Sequence, residues 1–172
     1  MNKSHTYKIV LCAVIGALYT VMTMFLPAIS YSVVQMRISE MLTVLPVFGG
    51  IFVLPLTFGC ALSNLVGFLM GVNPYGIPDV FIGSLASFAA AGLCYLFRNI
   101  RIKNLPVLSV FMPVVINALV LGAEDMFILT GKRDFIQYLI TASKFGLGQM
   151  IPCVVLGLAL FAALDRIKDR IF

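Results

Sequence analysis

Long apolar runs constrain this chain more than any other feature of its sequence. Helices of roughly 20 apolar residues cross a bilayer, and runs approaching that length recur here between short polar or turn-forming segments. Charged residues make up 11% of the 172 residues, whereas an average soluble domain carries roughly 25%. A soluble fold of this composition would leave large apolar patches in water. The sequence therefore predicts an integral membrane protein and excludes intrinsic disorder.

Turn-forming and basic segments divide the apolar sequence into six predicted transmembrane helices. The expected fold class is an all-α bundle, forming one domain over residues 1–172, because no linker or internal repeat interrupts it. The first run follows lysines as a signal peptide does, but no cleavage site opens onto a soluble domain, so we expect it to be retained. The helices are predicted over 9–26, 41–52, 56–70, 79–97, 106–130 and 135–164.

The basic residues predict the orientation of the bundle. Six spans place both termini on one side, and that side would hold eight basic residues against three on the other, with Lys144 inside the last helix. The positive-inside rule then places both termini in the cytoplasm. The two sets are Lys3, Lys8, Arg98, Arg101, Lys103, Arg166, Lys168 and Arg170, against Arg37, Lys132 and Arg133.

Histidine and cysteine usage argues against an enzyme. The single histidine, His5, lies in the polar N-terminal tail, and the four cysteines are far apart within apolar runs. Metal sites and disulfide frameworks need such residues at short spacing. There is also no phosphate-binding loop. We therefore expect no catalytic residues, no metal and no cofactor, and no ATP hydrolysis by this chain alone.

Polar residues at bilayer depth are the strongest indication of a binding site. A charge at that depth costs on the order of 3 kcal/mol. With a rise of about 1.5 Å per residue, Asn117 lies near the midplane of the fifth helix and Glu124 about 27 Å up, near the outer boundary. Residues seven apart share a helix face, so the two side chains point the same way. We interpret this pair as lining a substrate pocket.

Other polar residues gather in the same outer half of the protein. The inner half contains almost none, which favours a pocket open to the outside over a proton relay across the membrane. The predicted substrate-binding residues, besides the pair above, are Arg37, Glu40, Tyr75, Asp79, Lys144 and Gln149.

Simpler explanations stay open for several of these residues. Arg37 and Glu40 are three residues apart and can form an ion pair within the first loop. Asp79 has the residue type of a helix N-cap. Asp125 fits a solvated charge at the interface, and Lys144 can be neutralised by a nearby acid.

A pair of small residues marks the first helix. Ala13 and Ala17 are four residues apart, a spacing that lets helices approach closely in lipid. The face either docks a partner protein or packs against another helix of the same chain, and both interpretations stay open on spacing alone.

Three sequence segments then resemble a known family. The pair Ala13 and Ala17 in a six-helix protein with a basic tail is similar to the substrate-binding S components of energy-coupling factor (ECF) transporters. The segments VQMRISEMLTVLP at 34–46, PDVFIGSLA at 78–86 and NALVLGAE at 117–124 resemble the queuosine-precursor S components, the QueT family. The resemblance extends over nearly the whole chain.

The resemblance implies a transport subunit rather than an enzyme. Such a subunit would sit in the cell membrane of a bacterium and capture a 7-deazaguanine, such as 7-aminomethyl-7-deazaguanine or queuine, from outside. It would dock through Ala13 and Ala17 on a membrane coupling subunit that is driven by two ATPase subunits of an ABC importer. The alternatives are an S component for a riboflavin- or thiamine-like vitamin, a membrane enzyme with a buried carboxylate site, and a scaffold without a ligand.

Overall fold

The predicted apolar runs form helices in the computed structural model, which describes residues 5–32, 34–131 and 134–168. Within these ranges the chain forms seven α-helices and no strand, apart from one isolated β-bridge in the basic loop. They are α1 (His5–Phe25), α2 (Pro27–Ser30), α3 (Val53–Leu69), α4 (Ile77–Leu96), α5 (Val107–Asp125), α6 (Phe135–Gln149) and α7 (Gly157–Asp165). The predicted all-helical class is confirmed.

Five stretches are long and apolar enough to cross a membrane. They are His5–Phe25, Gly50–Leu69, Ile77–Leu96, Val107–Ile128 and Phe135–Asp165. A helix satisfies its backbone hydrogen bonds internally, which a segment in lipid requires. The bounds of these five helices lie within a few residues of the expected ones, and the short 3₁₀ turn Gly50–Phe52 precedes the α-helical part of the second stretch.

The second predicted helix, 41–52, differs from the expectation. The structure forms a 3₁₀ helix over Ile38–Val47 instead, followed by the second 3₁₀ turn at Gly50–Phe52. Pro46 lies inside the first of these, and a proline removes a backbone donor and clashes in an α-helix. At about 2.0 Å per residue the ten-residue 3₁₀ helix reaches about 20 Å, which is less than the roughly 30 Å hydrocarbon core.

The last predicted helix is interrupted in the structure. Between α6 and α7 the chain forms a π-helix over Met150–Leu156, and α5 likewise continues into a π-helix over Met126–Thr130. Pro152 cannot donate the usual backbone hydrogen bond, and this missing donor accounts for the wider π-helical turn there. Helical segments of this type are frequent at functional sites.

The 3₁₀ helix Ile38–Val47 lies at the centre of the bundle. Consecutive long helices pack in pairs, α1 with α3, α3 with α4, α4 with α5 and α5 with α6, and the 3₁₀ helix contacts α1, α3, α4, α5 and α7. Its residues Val44 and Leu45 belong to two neighbouring apolar clusters, which include Leu56 and Val110. The polar side chains that it carries are therefore held inside the protein.

Helices α1 and α3 approach each other closely at a pair of glycines. A Cβ atom on Gly59 would lie 2.8 Å from the carbonyl oxygen of Gly16, so only glycine fits there. The Thr20 hydroxyl donates a hydrogen bond to the Gly59 carbonyl at 3.1 Å. Small residues at such contacts allow tight packing in lipid, and this contact fixes α1 against the rest of the bundle.

Candidate functional site

Arg37 and Asp79 form a buried ion pair that joins the first loop to the start of α4. The Arg37 Nη2 lies 3.3 Å from the Asp79 Oδ2, and the two side chains are 3% and 0% exposed. Asn73 Nδ2 donates to the same carboxylate oxygen at 2.9 Å. The N-cap of α4 is Gly76, so Asp79 is not the cap. Arg37 pairs with Asp79 rather than with Glu40.

Glu40 is held in the 3₁₀ helix beside α1 and α5. The hydroxyl of Tyr19 donates to the Glu40 Oε1 at 2.5 Å, and the side chain of Asn117 lies beside the same carboxylate. The residue is 1% exposed. Among the described residues nothing bonds to its second oxygen, Oε2, so half of this carboxylate is available to a ligand.

Glu124 approaches the same place from α5. It is 4% exposed, Asn117 two turns earlier is 3% exposed, and both side chains therefore face the interior. Its carboxylate interacts electrostatically with Asp79 and Arg37. Its Oε1 has no hydrogen-bond partner within the described ranges. We call Tyr19, Arg37, Glu40, Asp79, Asn117 and Glu124 the polar cluster.

The polar cluster offers hydrogen-bond acceptors without donors. Within the part of the chain that the structure describes, no partner reaches Glu40 Oε2, Asp79 Oδ1 or Glu124 Oε1. Leaving a buried acceptor unpaired costs about 1–3 kcal/mol, and more for a charged group. The cluster has three carboxylates and one cation, Arg37. It therefore suits a polar ligand that supplies several donors or a positive charge.

Aromatic side chains flank this cluster. Tyr75 and Phe145 pack with Leu121 in one buried apolar group, and flat rings can stack between such side chains. The Tyr75 hydroxyl donates to Asp125 Oδ1 at 3.0 Å. Burial, followed by the Asp125 carboxylate, raises the pKa of the Tyr75 phenol, so it stays neutral and keeps donating. Asp125 thus has a partner in the loop before α4.

Family comparison agrees with the sequence segments. The model of the QueT transporter family matches residues 9–166. The chain belongs to the QueT transporter family. The resemblance predicted from the segments at 34–46, 78–86 and 117–124 is thereby confirmed at the level of the family.

A curated relative of this QueT family member carries a functional name. It is the "Queuosine precursor transporter QueT" of Lactococcus lactis subsp. cremoris (strain MG1363), 38% identical over 95 residues. The match covers 54% of this chain and 52% of the relative, so it spans about half the length of each. No solved structure matches the chain.

The two predicted site residues on α6 have different positions. Gln149 is fully buried, and its Nε2 donates to the carbonyl oxygen of Gln35 at 3.1 Å. Lys144 is exposed, one residue before the buried Phe145 and thus about 100° around the helix. The structure does not bring Lys144 into the polar cluster.

Sequence reasoning missed two residues of this region. Tyr19 lies within the predicted first helix and is not among the predicted site residues, although its hydroxyl bonds directly to Glu40. Gln35 is fully buried, and no described residue bonds to either of its side-chain polar atoms. The available signal for Gln35 is its place in segment 34–46, two residues before Arg37.

The small-residue pair lies on the other side of α1. Ala13 and Ala17 are exposed and line a groove of about 450 Å³ between α1 and α3. Apolar side chains such as Leu54 and Phe58 form its other wall. Tyr19, in contrast, faces the interior. In this QueT family member Ala13 and Ala17 therefore lie on a different face of α1 from the Tyr19 side chain.

The grouping of possible metal ligands can be judged for the part of the chain that the structure describes. Over residues 5–32, 34–131 and 134–168, no three His, Cys, Asp or Glu side chains are grouped closely enough to hold an ion. The carboxylates of the polar cluster are bonded to Tyr19, Arg37 and Asn73 instead. Their remaining oxygens Glu40 Oε2, Asp79 Oδ1 and Glu124 Oε1 have no hydrogen-bond partner among the described residues.

Proposed function

We propose that this protein is the substrate-binding S component of an ECF-type ABC importer and captures a queuosine precursor from outside the cell. The ligand is a 7-deazaguanine such as 7-aminomethyl-7-deazaguanine or queuine. The observation that carries the proposal is the set of buried acceptor atoms on Glu40, Asp79 and Glu124 to which no described residue donates. Membership of the QueT transporter family and the name of the relative support the choice of ligand.

The chemistry of a deazaguanine matches this set of atoms. Its adjacent N1–H and 2-amino groups present two donors side by side, which one carboxylate accepts as a fork. Its carbonyl oxygen accepts from an amide such as that of Asn117. An aminomethyl group adds a cation, which the second carboxylate of the pair Glu40 and Glu124 balances. Tyr75 and Phe145 provide surfaces on which the flat ring stacks.

The membrane arrangement follows from the same proposal. The five long apolar stretches together with the 3₁₀ helix Ile38–Val47 form one six-helix domain, with the shorter element enclosed by the others. Contacts of Cys12 with Ile51 and of Thr20 with Gly59 show that α1 and α3 run parallel, so the segment between them, which includes the 3₁₀ helix, returns across the bilayer as the sixth crossing. Both termini then lie in the cytoplasm, and the polar cluster opens outward in the cell membrane of a bacterium. Lys3, Lys132, Arg133 and Arg170, which entered the charge count, lie outside the described residues.

The partners are a membrane coupling subunit and two ATPase subunits. The chain itself performs no chemistry in this scheme, and ATP hydrolysis takes place on the ATPases. Ala13 and Ala17 border an exposed apolar groove between α1 and α3, and in this proposal the groove provides a contact surface for the coupling subunit without covering the ligand. Close helix contact in lipid needs such small side chains.

Titration of the purified protein tests the proposal against its alternatives. We expect 7-aminomethyl-7-deazaguanine and queuine to bind with micromolar or tighter affinity, and riboflavin and thiamine not to bind. Binding of a vitamin instead would assign the S component to that ligand. Conversion of the deazaguanine by the isolated chain, followed by mass spectrometry, would indicate the membrane enzyme. If the protein neither binds nor releases any small molecule, it would be a scaffold without a ligand.

A further inference from the structure

Gln35 combines complete burial with an amide that lacks hydrogen bonds. The residue is 0% exposed, and neither Nε2 nor Oε1 has a partner among the residues that the structure describes. Buried side-chain polar atoms in folded proteins are almost always paired, because leaving them unpaired forfeits their hydration. A buried amide whose nitrogen and oxygen both lack hydrogen-bond partners therefore indicates a ligand that bonds to both atoms.

The backbone around Gln35 is clamped against α6. The Gln35 carbonyl oxygen accepts from Gln149 Nε2 at 3.1 Å. The carbonyl of Val34 packs so closely on Gly148 that a Cβ atom there would overlap it. Gln35 itself has φ of 42°, a left-handed conformation that residues other than glycine adopt rarely and often at functional sites. These contacts fix the backbone position from which the Gln35 side chain extends.

Contacts on both sides of Gln35 lead to the polar cluster. Two residues later, Arg37 pairs with Asp79. On the other side, Gln149 Oε1 accepts from Cys153 Sγ at 3.4 Å, and Cys153 interacts electrostatically with Glu40. The backbone at Gln35 is thus linked to Asp79 through Arg37 and toward Glu40 through Gln149 and Cys153.

An amide recognises a different edge of the ligand than a carboxylate does. A carboxylate only accepts, so it matches two adjacent donors, whereas a primary amide presents a donor beside an acceptor. Once a carboxylate has taken N1–H and the 2-amino group, the edge that still offers an acceptor beside a donor is N3 with N9–H. We propose that Gln35 determines specificity by donating from Nε2 to N3 and accepting at Oε1 from N9–H, an inference that rests on the proposed function.

This assignment predicts selection of free bases over nucleosides. In a nucleoside, N9 carries the sugar and has no hydrogen to donate. Gln35 Oε1 would then remain buried without a partner, and a site with such an orphaned group rejects the ligand strongly. The QueT family member therefore takes the deazaguanine as the free base.

Isothermal titration of the full chain in detergent with two free bases tests this role. The probes are 7-deazaguanine and 3,7-dideazaguanine, which has C–H in place of N3. We expect the wild-type protein to prefer 7-deazaguanine by at least about tenfold, because Nε2 loses its acceptor in the other base. Gln35→Met should abolish the preference, with both bases bound alike. Gln137→Met, a matched change at a partly exposed position of α6, should keep it.

The outcomes separate this inference from the proposed function. Equal affinity of the wild-type protein for the two bases would overturn the role of Gln35 while leaving deazaguanine binding intact, and it requires no variant to fold. A Gln35→Met protein that keeps the tenfold preference would overturn it as well. A wild-type protein that binds no deazaguanine, including 7-aminomethyl-7-deazaguanine and queuine, would overturn the proposed function and this inference together.

Discussion

Arg37 Nη2 and Asp79 Oδ2 lie 3.3 Å apart although 42 positions separate the residues in sequence. The pair ties the first loop to the start of α4, and both side chains are buried. Arg37 also donates from Nε to the Ser30 carbonyl oxygen at 3.3 Å. The loop is therefore anchored in the interior by one side chain, and the arrangement of the polar cluster depends on this anchor.

Removing the charge of Asp79 should destabilise the protein strongly. Asp79→Asn leaves the Arg37 guanidinium buried without its counter-ion, which costs about 3–5 kcal/mol when one partner of a buried pair is lost. We expect a clear fall in the thermal unfolding midpoint in detergent. The control is Asp165→Asn, which breaks the exposed pair with Lys168 and should cost about 0–1 kcal/mol. Equal midpoints for the two variants would contradict the anchoring role.

The hydroxyl of Tyr19 should matter for ligand affinity more than for folding of α1. Tyr19→Phe removes the donor to Glu40 but keeps the ring, so the carboxylate loses one of its fixed contacts, worth about 1–3 kcal/mol for a charged acceptor. We expect weaker deazaguanine binding in a calorimetric titration. Tyr138→Phe, which removes a hydroxyl bonded to the Leu119 carbonyl oxygen, serves as the control. Unchanged affinity of the Tyr19→Phe variant would indicate that the Glu40 carboxylate does not bind the ligand.

Gly148 should be intolerant of even one methyl group. A Cβ atom there meets the Val34 carbonyl, so Gly148→Ala pushes the first loop away from α6, at about 1–3 kcal/mol for such overpacking. We expect both a lower unfolding midpoint and faster hydrogen exchange in residues 34–37. Gly146→Ala is the matched variant, because its Cβ would lie 3.5 Å from that of Ala118, an ordinary contact. Identical hydrogen exchange of residues 34–37 in the two variants would contradict the proposed role of the contact between Val34 and Gly148.

The exposed pair on α1 should be needed for assembly but not for binding. Replacing Ala13 and Ala17 with leucine fills the groove beside α3, so pull-down of the coupling subunit and uptake should be lost. Ligand binding by the isolated chain should persist, because the pair lies on a different face of α1 from the Tyr19 side chain. Ala89→Leu, at an exposed position of α4, should change neither. If the double variant lost ligand binding together with assembly, the pair would be a packing surface of this chain instead.

Much of the helical framework could be predicted from sequence because its signals are local. Runs of apolar residues and the turn formers between them placed five long helices within a few residues. The second helix differs because its first half belongs to a 3₁₀ helix that is enclosed by the other helices. That choice depends on packing around the element, which a local pattern does not contain.

The partners within the site could not be predicted, for a physical reason. In a membrane protein both the core and the lipid face are apolar, so periodicity does not identify the inward face of a helix. Lys144 and Gln149 were therefore equal candidates on α6, although only Gln149 is buried. Likewise the sequence offered Glu40 as the ion-pair partner of Arg37, and the fold pairs it with Asp79 instead.

Calorimetric titration of Glu124→Gln with 7-aminomethyl-7-deazaguanine tests the central claim most directly. Glu124 is buried, and no described residue bonds to its Oε1, so the wild-type residue is free to accept from the ligand. The account predicts that the affinity falls at least tenfold, about 1.4 kcal/mol, with the unfolding midpoint kept, and that Lys144→Gln changes it less than about twofold. An affinity equal to that of the wild-type protein would contradict the claim that the polar cluster binds the precursor.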